Sequence, residues 1–257
     1  MNLTADNYFS AEAQREYMST STFKAFEKCE AAALAELNEE FEHETTQALL
    51  TGSYVDAYFS GEMEQFKTEH PEIFRKDGGL KADYVQADRI IERVKQDEMF
   101  MSFLSGKPQV ILTGSIEGVK CKIKVDSLHD DKIVDLKVMK DMCPIYDETV
   151  CARVPFFEFY GYTTQAAIYS EIVRQATGKT LPFYLAVVTK QTEPDMAIIH
   201  MAQSDIDLAM ENVKAKIVRY DAIRQGIIEP TGCGECAYCR RHKKLTEIIE
   251  SDSPLFV

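Results

Sequence analysis

Residues Gly114 to Lys140 read GSIEGVKCKIKVDSLHDDKIVDLKVMK. The stretch alternates like a strand, turns, and alternates again. In the first arm Val119, Cys121, Ile123 and Val125 face one way. Lys120, Lys122, Lys124 and Asp126 face the other, because successive side chains in a strand point to opposite sides. The second arm, Ile133 to Val138, sets Asp135 and Lys137 on one face and Val134, Leu136 and Val138 on the opposite one. If Asp130 and Asp131 form a two-residue turn, His129 faces Lys132. Leu128 then pairs with Ile133, Asp126 with Asp135, and Lys124 with Lys137. Carboxylates opposite each other across two strands have β-carbons roughly 4.5–5.5 Å apart and repel. A divalent cation with oxygen ligands removes that repulsion. Lys137, on the same face as Asp135, adds an ammonium. Two acids and a lysine around such an ion are what phosphodiester hydrolysis needs. A solvated hairpin face carrying ordinary charges is the competing reading.

Asp126 followed by Asp135-Leu136-Lys137 resembles the D…(D/E)-x-K signature of the PD-(D/E)xK nuclease superfamily. The surrounding motifs resemble the RecB-type nucleases, and most of all the phage and prophage exodeoxyribonuclease VIII (RecE-like) domain. The resemblance runs over most of the chain as scattered short motifs. It implies an α/β fold with a mixed central sheet flanked by helices, the restriction-endonuclease-like core. It implies that Asp126, Asp135 and the Leu136 carbonyl hold Mg²⁺ or Mn²⁺ and that Lys137 assists the attacking water. The implied activity is DNA exonuclease action on linear double-stranded ends in phage-type recombination, with a single-strand annealing protein as a further partner.

The chain has 257 residues. We expect one domain, with a helical region over about 1–105, a nuclease core over about 106–203 and a C-terminal helix with a cysteine motif over 204–257. Ser19 to Glu42 has helical spacing through Phe23, Phe26, Ala33, Leu34 and Leu37 and contains Cys29. Thr45 to Phe59 is a second helix. RecB-type nucleases carry Gly-x-x-x-His there, with the histidine on the metal. This chain has Gly52 to Asp56, so Asp56 replaces it. A carboxylate suits a hard cation well, and a plain polar helix position is the alternative. Glu62 to Leu80 reads as a loop with one short helix. Ala82 to Leu104 is a third helix and Gln109 to Thr113 a strand. Glu117 could add an acid, though a turn or edge glutamate fits it better. Asp141 to Val154 carries no clear pattern. Phe156 to Ala176 is a helix. Gln165 and Tyr169 share one face of it and match the family's Gln-x-x-x-Tyr motif, which contacts DNA or orients the catalytic groups. Phe183 to Thr189 and Met196 to Met201 are strands, and Ser204 to about Gly226 is a helix.

Cys233, Cys236 and Cys239 form C-x-x-C-x-x-C, a spacing that packing does not explain. The fourth ligand is Cys29 or His242. By the resemblance Cys29 completes a [4Fe–4S] cluster; the chemistry of the thiolates equally suits Zn²⁺.

No apolar run approaches the roughly 20 residues of a membrane span. MNLTADNYFS lacks the features of a secretory signal, so the expected compartment is the cytoplasm. The seven cysteines are then thiols or metal ligands rather than disulfides. The net charge of −13 runs against broad DNA binding. It favours the rival reading, a weak or inactive nuclease-fold module that binds DNA or protein around a metal staple. Lys120, Lys122, Lys124, Lys132, Lys137 and Lys140 concentrate positive charge in the central stretch, which a local cleft could use.

Overall fold

The computed structural model describes residues 1–42, 47–245 and 248. The chain begins with α1 (Ala11–Glu16), β1 (Met18–Ser19), α2 (Thr20–Lys28) and α3 (Glu30–Leu37). Next come α4 (Gln47–Ser60), α5 (Met63–Glu69), α6 (Ala82–Lys95) and α7 (Glu98–Leu104). The centre is β2 (Lys107–Ile116), β3 (Val119–Leu128) and β4 (Ile133–Met139), followed by a small hairpin, β5 (Ile145–Asp147) and β6 (Ala152–Val154). Then follow α8 (Phe156–Phe159), α9 (Tyr162–Thr177), β7 (Phe183–Thr189), β8 (Met196–His200), α10 (Gln203–Arg224) and α11 (Ala237–Arg241).

The fold is mixed α/β. The sheet runs β1-β3-β4-β7-β8, with β2 on the other edge of β3. β4 pairs in parallel with β7, and β7 antiparallel with β8. One face of the sheet packs against α2, α9 and α10 through Phe23, Phe26, Ile172, Val213 and Ile217. The other carries α4, α6 and α7 through Val55, Ile90, Ile91 and Phe100. β7 is covered on both faces, Leu185 and Val187 to one side and Ala186 and Val188 to the other. That accounts for its unbroken apolar run. No helix among the described residues is long and apolar enough to cross a membrane.

The feature that creates the site is a fork beside β3. β2 occupies one edge of β3 from Val119 to Leu128. The other edge is shared. β1 pairs in parallel with Cys121 and Lys122, and β4 pairs antiparallel with Ser127 and Leu128. Residues 123 to 126 therefore face a gap between β1 and β4. Leu128 does pair with Ile133 and the His129 amide does bond the Lys132 carbonyl at 3.0 Å, as the two-residue turn requires. The ladder stops at Ser127–Val134. Asp126 and Asp135 are therefore not a direct ladder pair, nor are Lys124 and Lys137. The physical reason is a slip in alternation. Val125 and Leu128 both pack on the same core face, three residues apart instead of two. Across from Asp126 on β2, Gln109 takes φ 50°, between the pairs Pro108–Ser127 and Val110–Val125. Such a left-handed residue bends its strand.

Other boundaries shift for local reasons. The expected helix over Ser19 to Glu42 breaks at Cys29, which is extended (φ −165°) and caps α3 by accepting a bond from the Ala32 amide. The expected helix over Ala82 to Leu104 breaks at Asp97, whose carboxylate caps α7 at the Phe100 amide. The helix expected from Phe156 breaks at Gly161, which is left-handed (φ 64°). α4 begins at Gln47, and Thr45, where it was expected to start, lies outside the described residues. Asp141 to Val154, without clear pattern in the sequence, holds the β5–β6 hairpin. Glu117 sits with Gly118 in the exposed left-handed turn between β2 and β3.

Candidate active site

The gap beside β3 collects acidic and basic side chains from four elements. Asp135 enters from β4 and is 1% exposed. Its Oδ1 accepts a bond of 2.6 Å from the Gln165 side-chain amide of α9. Its Oδ2 is buried with no hydrogen-bond donor aligned on it and forms an ion pair with Lys137. Asp126 comes from β3, and its Oδ2 accepts from the Leu136 amide at 2.9 Å. Leu136 thus meets Asp126 through its N–H. Asp56 comes from α4, and Gln109 Nε2 donates to both its oxygens at 3.2 and 3.3 Å. Tyr169, one turn beyond Gln165 on α9, donates to the Lys124 carbonyl at 3.0 Å. It satisfies a β3 carbonyl at the gap. The Lys137 ammonium lies 5.1 Å from the Tyr162 ring centre.

The electrostatics are those of an acidic site short of cations. Burial, with the Asp135 and Glu62 charges, pushes the Asp56 carboxyl up to about 6 against the pull of Lys124 and Lys137. Burial, then Asp135 and Asp56, drives Asp126 well above the usual carboxylate range. Burial alone would push Lys137 down. The Asp135 and Asp126 carboxylates outweigh it and hold the lysine above its ordinary value. Burial, reinforced by Lys137, pushes Lys24 down to about 8. These shifts are what crowded, desolvated charges produce.

Together, Asp56, Asp126 and Asp135 fit a hard divalent cation. All their donors are oxygens, the buried Asp135 Oδ2 is met by the Lys137 ammonium, and a cation would offset the burial and the mutual repulsion that raise Asp56 and Asp126. A cavity of about 250 Å³ opens at this gap, lined among others by Asp56, Asp126, Gln165, Tyr169, Thr20 and Lys24.

Asp56, Asp126 and Asp135 reach this site, as do Lys137, Gln165 and Tyr169, whereas Glu117 lies in the exposed β2–β3 turn. The lysine cluster divides. Lys124 and Lys137 stand at the site. Lys120 pairs with Glu16 at 2.8 Å, and Lys132 with Asp131 at 3.0 Å. Lys122 is fully buried, donating to the Tyr8 carbonyl at 2.6 Å. Gln109 and Lys24 were not foreseen. Nothing in the sequence marks Gln109, whereas Lys24 follows a hydroxyl-rich helix start, Ser19-Thr20-Ser21-Thr22.

The second constellation joins the two ends of the described chain. The thiols of Cys29, Cys233, Cys236 and Cys239 all lie within 4.8 Å of one another. Cys29 Sγ is 3.6 Å and Cys233 Sγ 3.9 Å from Cys239 Sγ. Backbone amides point at the sulfurs. Cys233 N donates to Cys29, Cys236 N to Cys233, and Cys239 N to Cys236, at 3.3–3.4 Å. The amides of Glu235 and Cys236 pull the Cys233 thiol down to about 6, while burial pushes Cys236 up to about 12. The tail is held on α3 by Glu30, which accepts from Arg219 at 2.7 and 2.8 Å and from the Thr231 amide at 2.9 Å. His242 is exposed, and its Nδ1 lies 2.9 Å from the Tyr238 carbonyl. Cys29, not His242, completes the set. Four such thiols could bind a metal.

Comparison with known proteins bears on both constellations. The model of a family described as "PDDEXK-like domain of unknown function (DUF3799)" matches residues 19–242. That span contains the carboxylates, Lys137, Gln165 and Tyr169 of the first constellation and the four cysteines of the second. A crystal structure of a "putative exonuclease" from Eubacterium rectale is similar, with TM-score 0.92 and 43% sequence identity over 97% of each chain. Among curated proteins no match is found.

Proposed function

Since the chain belongs to the family of PDDEXK-like domains (DUF3799), we propose that it is a divalent-metal-dependent DNA exonuclease of the RecB type, most like the exodeoxyribonuclease VIII (RecE-like) domain. The observation that carries this reading is the convergence of Asp56, Asp126, Asp135 and Lys137 in one buried charge cluster. In an inactive scaffold nothing would maintain so much unrelieved charge. The likeness to the Eubacterium rectale protein supports the exonuclease class.

A bound Mg²⁺ or Mn²⁺ supplies Lewis acidity and a water of lowered pKa. The chain's own groups do the rest. Asp126, Asp135 and Asp56 would hold the ion, with the Leu136 carbonyl as the ligand the family resemblance adds. Gln165 fixes the rotation of the Asp135 carboxylate through its 2.6 Å bond. The Lys137 ammonium, paired with Asp135, would orient the attacking water or meet the charge that develops on the phosphoryl oxygens. Tyr169 and Gln165 lie beside the scissile strand. Linear duplex ends are the substrate in this reading, with phage-type recombination as the setting, a single-strand annealing protein as partner and residues 1–257 as one domain. Degradation of end-labelled linear DNA by wild type in Mg²⁺ or Mn²⁺, and not by Asp135→Ala, tests it.

For the cysteine site the resemblance implies a [4Fe–4S] cluster. The spacing of the sulfurs favours a single tetrahedral ion, Zn²⁺. Zn–S bonds of about 2.3 Å place tetrahedral sulfurs roughly 3.8 Å apart, and Cys29 and Cys233 stand 3.6 and 3.9 Å from Cys239. A cubane, whose irons are separate corners, needs its thiolates set wider. Metal analysis of anaerobically purified protein decides: stoichiometric zinc in colourless protein supports this assignment, and brown protein with stoichiometric iron overturns it.

A further inference from the structure

We propose that the first turn of α2 is a phosphate-binding subsite, which holds a phosphate of the DNA strand in the cavity that the carboxylates also line. The proposal deepens the nuclease reading and rests on it for the identity of the substrate. α2 spans nine residues, Thr20–Lys28. Ser19 Oγ caps the Thr22 amide at 3.1 Å. The amides of Thr20 and Ser21 have no intrahelical acceptor, as at any helix start. They and the helix dipole place partial positive charge at this end.

A second, independent observation points to a ligand. Thr20 is 6% exposed and its Oγ1 has no hydrogen-bond partner. A buried hydroxyl without a partner is costly and uncommon. This one belongs to a residue that lines the same cavity as Asp56 and Asp126. Lys24 sits one turn further along α2, on the face of Thr20. It lines that cavity too, and its ammonium bonds a neutral group, the Tyr160 carbonyl, at 3.2 Å. A hydroxyl, helix-start amides and an ammonium are the donors a tetrahedral oxyanion takes. In a chain of net charge −13, their placement in one cavity with carboxylates has a clear use. The carboxylates would hold the cation that neutralises one phosphate, and α2 takes another on the same strand. Both a terminal 5′-phosphate and an internal phosphodiester offer this chemistry.

The test is equilibrium binding followed by fluorescence anisotropy, with cleavage measured in parallel. Two duplexes labelled at a 3′ end are compared, one with a 5′-phosphate and one with a 5′-hydroxyl. Binding is measured in Ca²⁺, a hard cation that fills carboxylate sites. Thr20→Val and Lys24→Met should each raise the Kd about tenfold, the scale for losing a hydrogen bond to a charged group. Thr20→Ser should bind like wild type. Thr20→Val should melt no lower than wild type, since it removes an unpaired buried hydroxyl. A penalty confined to the 5′-phosphate duplex assigns the subsite to the strand terminus, and an equal penalty on both assigns it to an internal phosphate. An unchanged Kd in Thr20→Val and Lys24→Met, or wild type that binds neither duplex, overturns the proposal. Wild type that shows the binding penalties yet cleaves nothing in Mg²⁺ or Mn²⁺ overturns the nuclease reading and leaves the subsite standing. Cleavage with no effect of Thr20 or Lys24 on binding does the reverse.

Discussion

Gln165 on α9 donates to Oδ1 of Asp135 on β4 at 2.6 Å, between two buried side chains 30 residues apart in the chain. Oδ2 is met by the Lys137 ammonium. Helix α9 thus fixes the rotation of the Asp135 carboxylate. Gln165→Ala should keep the fold and lower activity or metal affinity about 10- to 100-fold, the range for partners that orient metal ligands. Metal titration of the cleavage rate checks this. An Ala variant with wild-type titration and rate would make the bond structural only.

The core of the site was legible in the sequence because its signal is local. The alternation around Asp126 and Asp135-Leu136-Lys137, and the four-residue step from Gln165 to Tyr169, need no knowledge of the rest of the fold. The fork was not legible. It depends on β1, two residues long, competing with β4 for one edge of β3. Asp126 and Asp135 miss direct pairing because of the slip in alternation between Val125 and Leu128, which the sequence pattern does not announce. Gln109 joins the site through a left-handed backbone that nothing in its neighbours announces. Cys29 was legible as a ligand candidate but not as a helix break, since an Ala-rich run conceals a cap made by sulfur. The β5–β6 hairpin, three residues a side and largely exposed, has no buried face to imprint a pattern.

The carboxylates make the effect of metal depend on pH. Asp56 titrates near 6 in the folded chain, above the ordinary value of about 3.9. A raised carboxyl binds its proton more tightly when folded. Metal-free protein therefore loses stability as pH rises from about 4 to about 6, and the penalty stays in place above that. Bound cation removes it, so Mg²⁺ should raise the unfolding midpoint more at pH 7.5 than at pH 4.5. Asp56→Asn should reduce that difference and increase the Mg²⁺ needed for cleavage. A stabilisation by Mg²⁺ equal at both pH values would count against the site.

Gln109 combines backbone strain with a functional contact. Left-handed conformations of non-glycine residues cost of order 1 kcal/mol or more. Gln109→Gly should therefore stabilise the protein by about 1 kcal/mol while raising the metal concentration for half-maximal cleavage, because Asp56 loses its amide partner. Denaturant unfolding and metal titration of the same variant should move in opposite directions. A Gly variant that loses both stability and metal affinity would show that the Gln109 bond outweighs its strain.

The cysteine site should behave as one unit. Cys29 and Cys233 are 204 residues apart, and metal binding by four thiolates adds directly to folding free energy. Cys29→Ser should lose the bound metal and lower the melting temperature together. His242→Ala should retain a full complement of metal. Metal retained in Cys29→Ser, or lost in His242→Ala, would exchange the fourth ligand.

The central claim is that Asp126, Asp135 and Lys137 make a metal-dependent nuclease, and the most direct measurement is degradation of end-labelled linear duplex DNA by the purified chain. The expected result is release of label in Mn²⁺ or Mg²⁺, abolished by chelation and by Asp135→Ala, slowed about 100-fold or more by Lys137→Ala, with closed circular DNA untouched. Linear DNA left intact by folded wild-type protein in both metals would contradict it.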